Sequence, residues 1–210
     1  MPPLRQVAAR LAPACALALV AMGLPAPAAS DDEFAAALMQ PGPLPDIVEG
    51  APDAPATIVE YASMTCSHCA DFAVHVWPAL KVKYIDTGKA KFILREFPID
   101  PLAIIAFMTA RCLGPDKRDA MIDKLFADQN DWAFRDEPIE RLRRETGLSP
   151  EDFLACVKDK TLFDGVSAIH DSAAARFGVD STPTFFINGR RMDGEPQLEQ
   201  FDQALASLGK

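Results

Sequence analysis

Thr57-Ile58-Val59-Glu60-Tyr61-Ala62, followed four residues later by Cys66-Ser67-His68-Cys69, is the stretch from which the fold can be read. The run before the cysteines is apolar apart from Glu60 and Thr57, and reads as a short buried strand. After them Phe72, Val76 and Leu80 recur four apart, the pattern of a helix with one apolar face. A Cys-x-x-Cys at such a junction puts its first thiol at a helix N-terminus. Unpaired amides and the helix dipole there favour the thiolate over the thiol. That arrangement points to redox chemistry, the duller readings being a structural disulfide or a metal pair.

Outward from this centre the elements alternate and then change character. The helix is expected from Cys66 to about Tyr84, bent or interrupted at Pro78. Lys91 to Phe97 is a second strand closed by Pro98, so strand, helix and strand imply a parallel pair with a right-handed crossover. Consecutive helices then fill 102–113, 116–128 and 138–146. Ser149-Pro150-Glu151-Asp152 signals another helix start, with a cap, a proline at the first helical position and acids in the first turn. Residues 161–177 make a long helix with Phe163, Val166, Ile169 and Phe177 on its inner side. Thr184 to Ile187 is a strand, Asn188-Gly189 a hairpin turn, 190–193 the returning strand and 196–208 a closing helix. Before the first strand, residues 30–51 read as an extension and linker: a short helix over 30–37 capped by Ser30, then Pro41-Gly42-Pro43-Leu44-Pro45.

The first residues differ in kind. Arg5 and Arg10 precede an Ala/Leu/Val stretch from Leu11 to Leu24, and Ala26-Pro27-Ala28-Ala29 offers small residues at a cleavage point. Residues 1–29 are therefore read as a secretory signal peptide rather than a membrane anchor, and Cys15 leaves with it. Its removal takes away two arginines and no acid, so a formal charge of −9 from 21 basic and 30 acidic residues becomes −11. An acidic chain without a basic patch is not built for nucleic acid. Cys66, Cys69, Cys112 and Cys156 remain, and export places them where disulfides form. Of three possible pairings, the tight spacing favours Cys66–Cys69 with Cys112–Cys156. The duller reading of Cys112 and Cys156 is a pair of buried free thiols.

Taken in order, these elements describe an α/β chain, a thioredoxin fold with an inserted helical domain. Residues 52–100 form its first part, 101–160 the insertion and 161–210 its second part. The Cys66-Ser67-His68-Cys69 motif, the Ser181-Thr182-Pro183-Thr184 loop and Phe185-Phe186-Ile187-Asn188-Gly189 together resemble the DsbA family of exported thiol-disulfide oxidoreductases, over about 53–208. The resemblance implies Cys66 as nucleophile, Cys69 as resolving thiol and His68 as a ring that stabilises the Cys66 thiolate. It also implies Pro183 as a cis-proline that aims the backbone of Thr182 at an incoming peptide. Glu60 falls where the family carries a buried acid that moves protons to and from the inner cysteine; the plain alternative is a solvated edge glutamate. Ser67 and Thr182 depart from the strongly oxidising relative, which has proline and valine there.

Activity follows from the resemblance in the same way. A periplasmic enzyme of this kind donates its disulfide to reduced, unfolded secreted proteins, needs no cofactor and is reoxidised by a DsbB-like membrane partner. A disulfide isomerase or reductase of the same superfamily is the nearest rival. A copper- or zinc-binding carrier using the two thiolates is the rival from another class.

Overall fold

The structure is a computed structural model that describes residues 30–206; the expected signal peptide, and the last residues of the closing helix, lie outside the described residues. The order of elements is α1 (Asp31–Leu38), β1 (Ile47–Glu49), β2 (Ala56–Ala62), α2 (Ser67–His75), α3 (Trp77–Leu80), a π turn (Lys81–Ile85) and β3 (Ala90–Glu96). Then come α4 (Pro101–Cys112), α5 (Pro115–Ala127), α6 (Gln129–Trp132), α7 (Pro138–Thr146), α8 (Pro150–Val157), α9 (Lys160–Phe177), β4 (Thr184–Ile187), β5 (Arg190–Arg191) and α10 (Leu198–Ala206). This is a thioredoxin fold interrupted by a block of helices.

Every residue of β2 is buried, as a near-continuous apolar strand in the middle of a covered sheet should be. It pairs in parallel with β3, Glu60 opposite Leu94, and antiparallel with β4, Glu60 opposite Phe185. The sheet runs β1-β3-β2-β4-β5. Asn188 and Gly189 turn between β4 and β5 with positive φ values of 47° and 82°, the backbone a two-residue hairpin of this hand requires. Asn188 Oδ1 also accepts the Thr57 N–H at 2.7 Å, tying the turn to the start of β2.

Several elements differ from the sequence reading. The extension carries an edge strand: β1 pairs antiparallel with β3, Ile47 opposite Leu94. Three residues are too few to show a period. What holds them is Arg95, buried on β3, whose guanidinium donates to the Leu38 and Gln40 carbonyls and grips both oxygens of Asp46 at 2.9 Å. The helix after Cys66 ends at His75 rather than running to Tyr84. Pro78 has no N–H to bond the carbonyl of Val74 and its ring crowds that carbonyl, so the chain breaks just before it and resumes as α3 and the π turn. Phe163, expected to face inward, is 48% exposed; it sits in the first turn of α9 while Val166, Ile169 and Phe177 reach the core.

Within the inserted block a Cys112–Cys156 disulfide joins α4 to α8 across 44 residues of chain. Ser149 caps α8 by accepting the Asp152 N–H at 3.0 Å. Trp132 is fully buried and its ring N–H reaches the Leu125 carbonyl at 2.8 Å, locking α6 to the end of α5.

Candidate active site

The end of β2 delivers the chain through Ser63, Met64 and Thr65 to Cys66, which occupies the N-cap of α2 with φ −85° and ψ 118°. A cysteine offers no oxygen to cap the helix, so the first-turn amides are left for its sulfur. Cys66 and Cys69 are free thiols here. Both are tucked in: Cys66 is 8% exposed and Cys69 is fully covered.

Their acidities are pushed apart. The Cys66 thiol is lowered from 9.0 to about 5, foremost by the hydrogen bond from the Cys69 thiol. Burial opposes this; the Thr182 side chain and the backbone N–H groups of Cys69 and His68 add to it. Cys69 moves the other way, well above the usual thiol range, because burial, the hydrogen bond to Cys66 and the nearby charge of Glu60 all disfavour its thiolate. At neutral pH the reduced pair is therefore one thiolate and one thiol.

Glu60 lies beneath this pair in the central strand. It is 3% exposed, so the solvated-edge reading is set aside. Its Oε1 is buried without a hydrogen-bond partner, and its carboxyl is pushed well above the usual range, first by burial and then by the Cys66 charge. A carboxyl so placed favours its neutral, protonated form. The Thr182–Pro183 peptide bond is cis, and the Thr182 carbonyl lies 3.2 Å from the Cys66 sulfur, accepting from its thiol when that is protonated. His68 is exposed, and its backbone N–H is among the groups that lower the Cys66 thiol.

Sequence reasoning missed the residues that hold the active-site turn in place, one of them from the inserted block. Gln129, at the start of α6 and 2% exposed, donates to the Met64 carbonyl at 2.9 Å and the Cys66 carbonyl at 3.0 Å. Asp100 accepts the Thr65 hydroxyl at 2.6 Å while capping α4 through the Ala103 N–H at 2.8 Å. Ser63 closes the group, within 3.3 Å of the Thr65 hydroxyl and accepting the Ile99 N–H. Asp100-Pro101 carried a visible helix-start signal. Nothing in the sequence marked Gln129. Among the described residues no group of three or more His, Cys, Asp or Glu is arranged to hold a metal ion.

A strand, a helix N-terminal dithiol and a facing cis-proline define a thioredoxin-type redox site, and comparison with known proteins agrees. The family described as thioredoxin matches residues 44–207. Wolbachia pipientis alpha-DsbA1 is 30% identical with a TM-score of 0.72, the alignment covering 85% of this chain and 96% of that one. A Rickettsia typhi protein inferred to be a protein-disulfide oxidoreductase is 33% identical over 148 residues, 69% of this chain and 55% of the relative. The chain thus spans about half the length of the curated relatives it matches. Protein-disulfide isomerase from Novosphingobium aromaticivorans, 21% identical with a TM-score of 0.69 over 80% of this chain and all of that one, shares the fold. The chain belongs to the DsbA family of thioredoxin-fold thiol-disulfide oxidoreductases.

Proposed function

We propose that this chain is an exported dithiol oxidase that introduces disulfide bonds into reduced, unfolded secreted proteins. The observation that carries the reading is the divergence of the two thiols, Cys66 held near 5 and Cys69 held high. A thiolate that stable is a good leaving group and a poor nucleophile, which tilts the couple toward giving its disulfide away. A substrate thiolate attacks Cys66 of the oxidised pair, forming a mixed disulfide and expelling Cys69, which takes a proton from Glu60. A second substrate thiolate then attacks the substrate sulfur, releasing Cys66 as a thiolate that needs no proton. Thr182, presented by the cis bond to Pro183, pairs with the substrate main chain in a strand-like manner.

Reoxidation falls to a DsbB-like membrane partner by the family resemblance. Export rests on the leader-like residues 1–29, and among the described residues no helix is long and apolar enough to cross a membrane. Oxidation of reduced ribonuclease, with glutathione disulfide as the terminal oxidant, tests the reading. The expected result is catalysed disulfide formation, lost in Cys66→Ser. A stable dimer that reactivates scrambled ribonuclease yet does not oxidise the reduced enzyme would instead make the chain an isomerase.

A further inference from the structure

Glu60 can serve Cys69 once per turnover only if it is reprotonated, and it lies in the middle strand of a covered sheet. A cavity of about 30 Å3 adjoins it between the sheet and α5. Roughly 10–15 Å3 of such space holds one water, and a water there needs two or more polar partners. The cavity's polar lining is four carboxylates: Glu60 from β2, Glu49 from β1, and Asp119 and Asp123 from α5. The residues that α2, α3 and β3 contribute, Phe72 and Trp77 among them, are apolar. Glu60 is the buried end, with Oε1 unpartnered, and Asp123 is exposed to solvent at the other.

The charges around the cavity single out Asp123. Asp119 is paired with Arg118 at 2.8 Å and Glu49 with Lys81 at 3.2 Å. Asp123 is exposed as a residue, but the cavity walls take part of the water from its carboxyl; that desolvation, then the charges of Glu49 and Asp119, push it up to about 6, Lys81 opposing. A group titrating there takes up and gives up protons readily near neutral pH.

We propose that Asp123 is the solvent end of a water-mediated proton path to Glu60, so that the inserted helical block supplies the group that recharges the buried acid. Asp123 acts through Glu60 and touches no reacting sulfur; the inference rests on Glu60 being the proton donor to Cys69. The balance is simple. When the Cys66–Cys69 bond breaks, the proton of the Glu60 carboxyl goes to the Cys69 sulfur, and the proton Asp123 draws from solvent passes through the cavity water to the Glu60 carboxylate. Reoxidation runs the same transfer backwards.

The test is stopped-flow reduction of the oxidised full chain by dithiothreitol between pH 5 and 8.5, in the wild type, Asp123→Asn, Glu60→Gln and the double variant. Cys66 thiolate absorbance is titrated alongside. Expected are an inflection near pH 6 in the wild type that Asp123→Asn removes, and a slowing of about tenfold at pH 7, less than the 10²–10⁴-fold a positioned acid contributes directly because Asp123 acts through Glu60. The Cys66 titration should stay in place, the double variant should be no slower than Glu60→Gln, and Asp123→Glu should restore the rate. If Glu60→Gln slows reduction while Asp123→Asn follows the wild-type profile, the path is wrong and the Glu60 role stands. If Glu60→Gln has no effect, the Glu60 role itself falls. Additive slowing, or a displaced Cys66 titration in Asp123→Asn, would show Asp123 acting by its own charge and overturn the path.

Discussion

Acidifying the reduced protein should destabilise it relative to the oxidised form, by an amount set by Cys66. The folded thiol titrates near 5 and an ordinary one near 9.0. A group whose acidity is raised by folding stabilises the fold fully above its unfolded value and loses that contribution as pH falls through the folded one. At pH 7, two units above the folded value, the contribution is ~2.7 kcal/mol at 1.36 kcal/mol per unit. At pH 4 it is close to nothing. Glu60 works in the opposite sense, its raised carboxyl favouring the fold at low pH and losing that as pH rises above about 4.5. Burial, the leading cause, is common to both redox states and cancels in their difference. For a chain of this size 1 kcal/mol moves Tm by about 2–4 °C. The Tm of the reduced protein minus that of the oxidised protein should therefore rise by about 5–11 °C between pH 4 and pH 7. Calorimetry or circular dichroism on the two forms measures it, with excess reductant keeping the first reduced. A difference that stays flat across this range would refute the thiolate assignment.

Other perturbations reach the scaffold. Gln129→Ala strips the donor from the Met64 carbonyl, while the Cys66 carbonyl keeps the Cys69 and Ala70 amides. A loss of about 1–3 kcal/mol is expected, read as a lower urea midpoint with an unchanged slope. Arg95→Ala leaves Asp46 without its partner and frees the Leu38 and Gln40 carbonyls at the end of α1 and just beyond it. About 3–5 kcal/mol should be lost, with earlier proteolytic cutting within 31–46 as the local signature. Cys112→Ser opens a bridge spanning 44 residues, worth about 4 kcal/mol in the chain-entropy estimate, and the urea midpoint should fall accordingly.

Much of this architecture was legible because local chemistry and tertiary structure agree. The central strand announces itself as an apolar run, the Asn188-Gly189 turn by its backbone demands, and α8 by its cap. The resemblance to the DsbA family, rather than any local pattern, is what set the cis-proline loop opposite the dithiol, and the Thr182–Pro183 bond is cis. What could not be read depends on contacts distant in sequence. Strand β1 exists because Arg95, 49 residues beyond Asp46, holds that segment against β3. Gln129 matters through two carbonyls 63 and 65 residues away, and a glutamine in a four-residue helix carries no signal of that. The His68 backbone N–H also lowers the Cys66 thiol, a contribution that the identity of the residue does not signal. Glu60 was a carboxylate in an apolar strand, a visible anomaly, but only the fold shows which side of it meets a cavity.

The reduction potential of the Cys66–Cys69 couple, measured against glutathione buffers from pH 6 to pH 8, tests the central claim most directly. A stable Cys66 thiolate beside a protonated Cys69 predicts a potential less negative than about −200 mV. It also predicts a fall of about 30 mV per pH unit, one proton for two electrons. A potential at or below thioredoxin's value of about −270 mV, or a slope near 59 mV per unit, would contradict it.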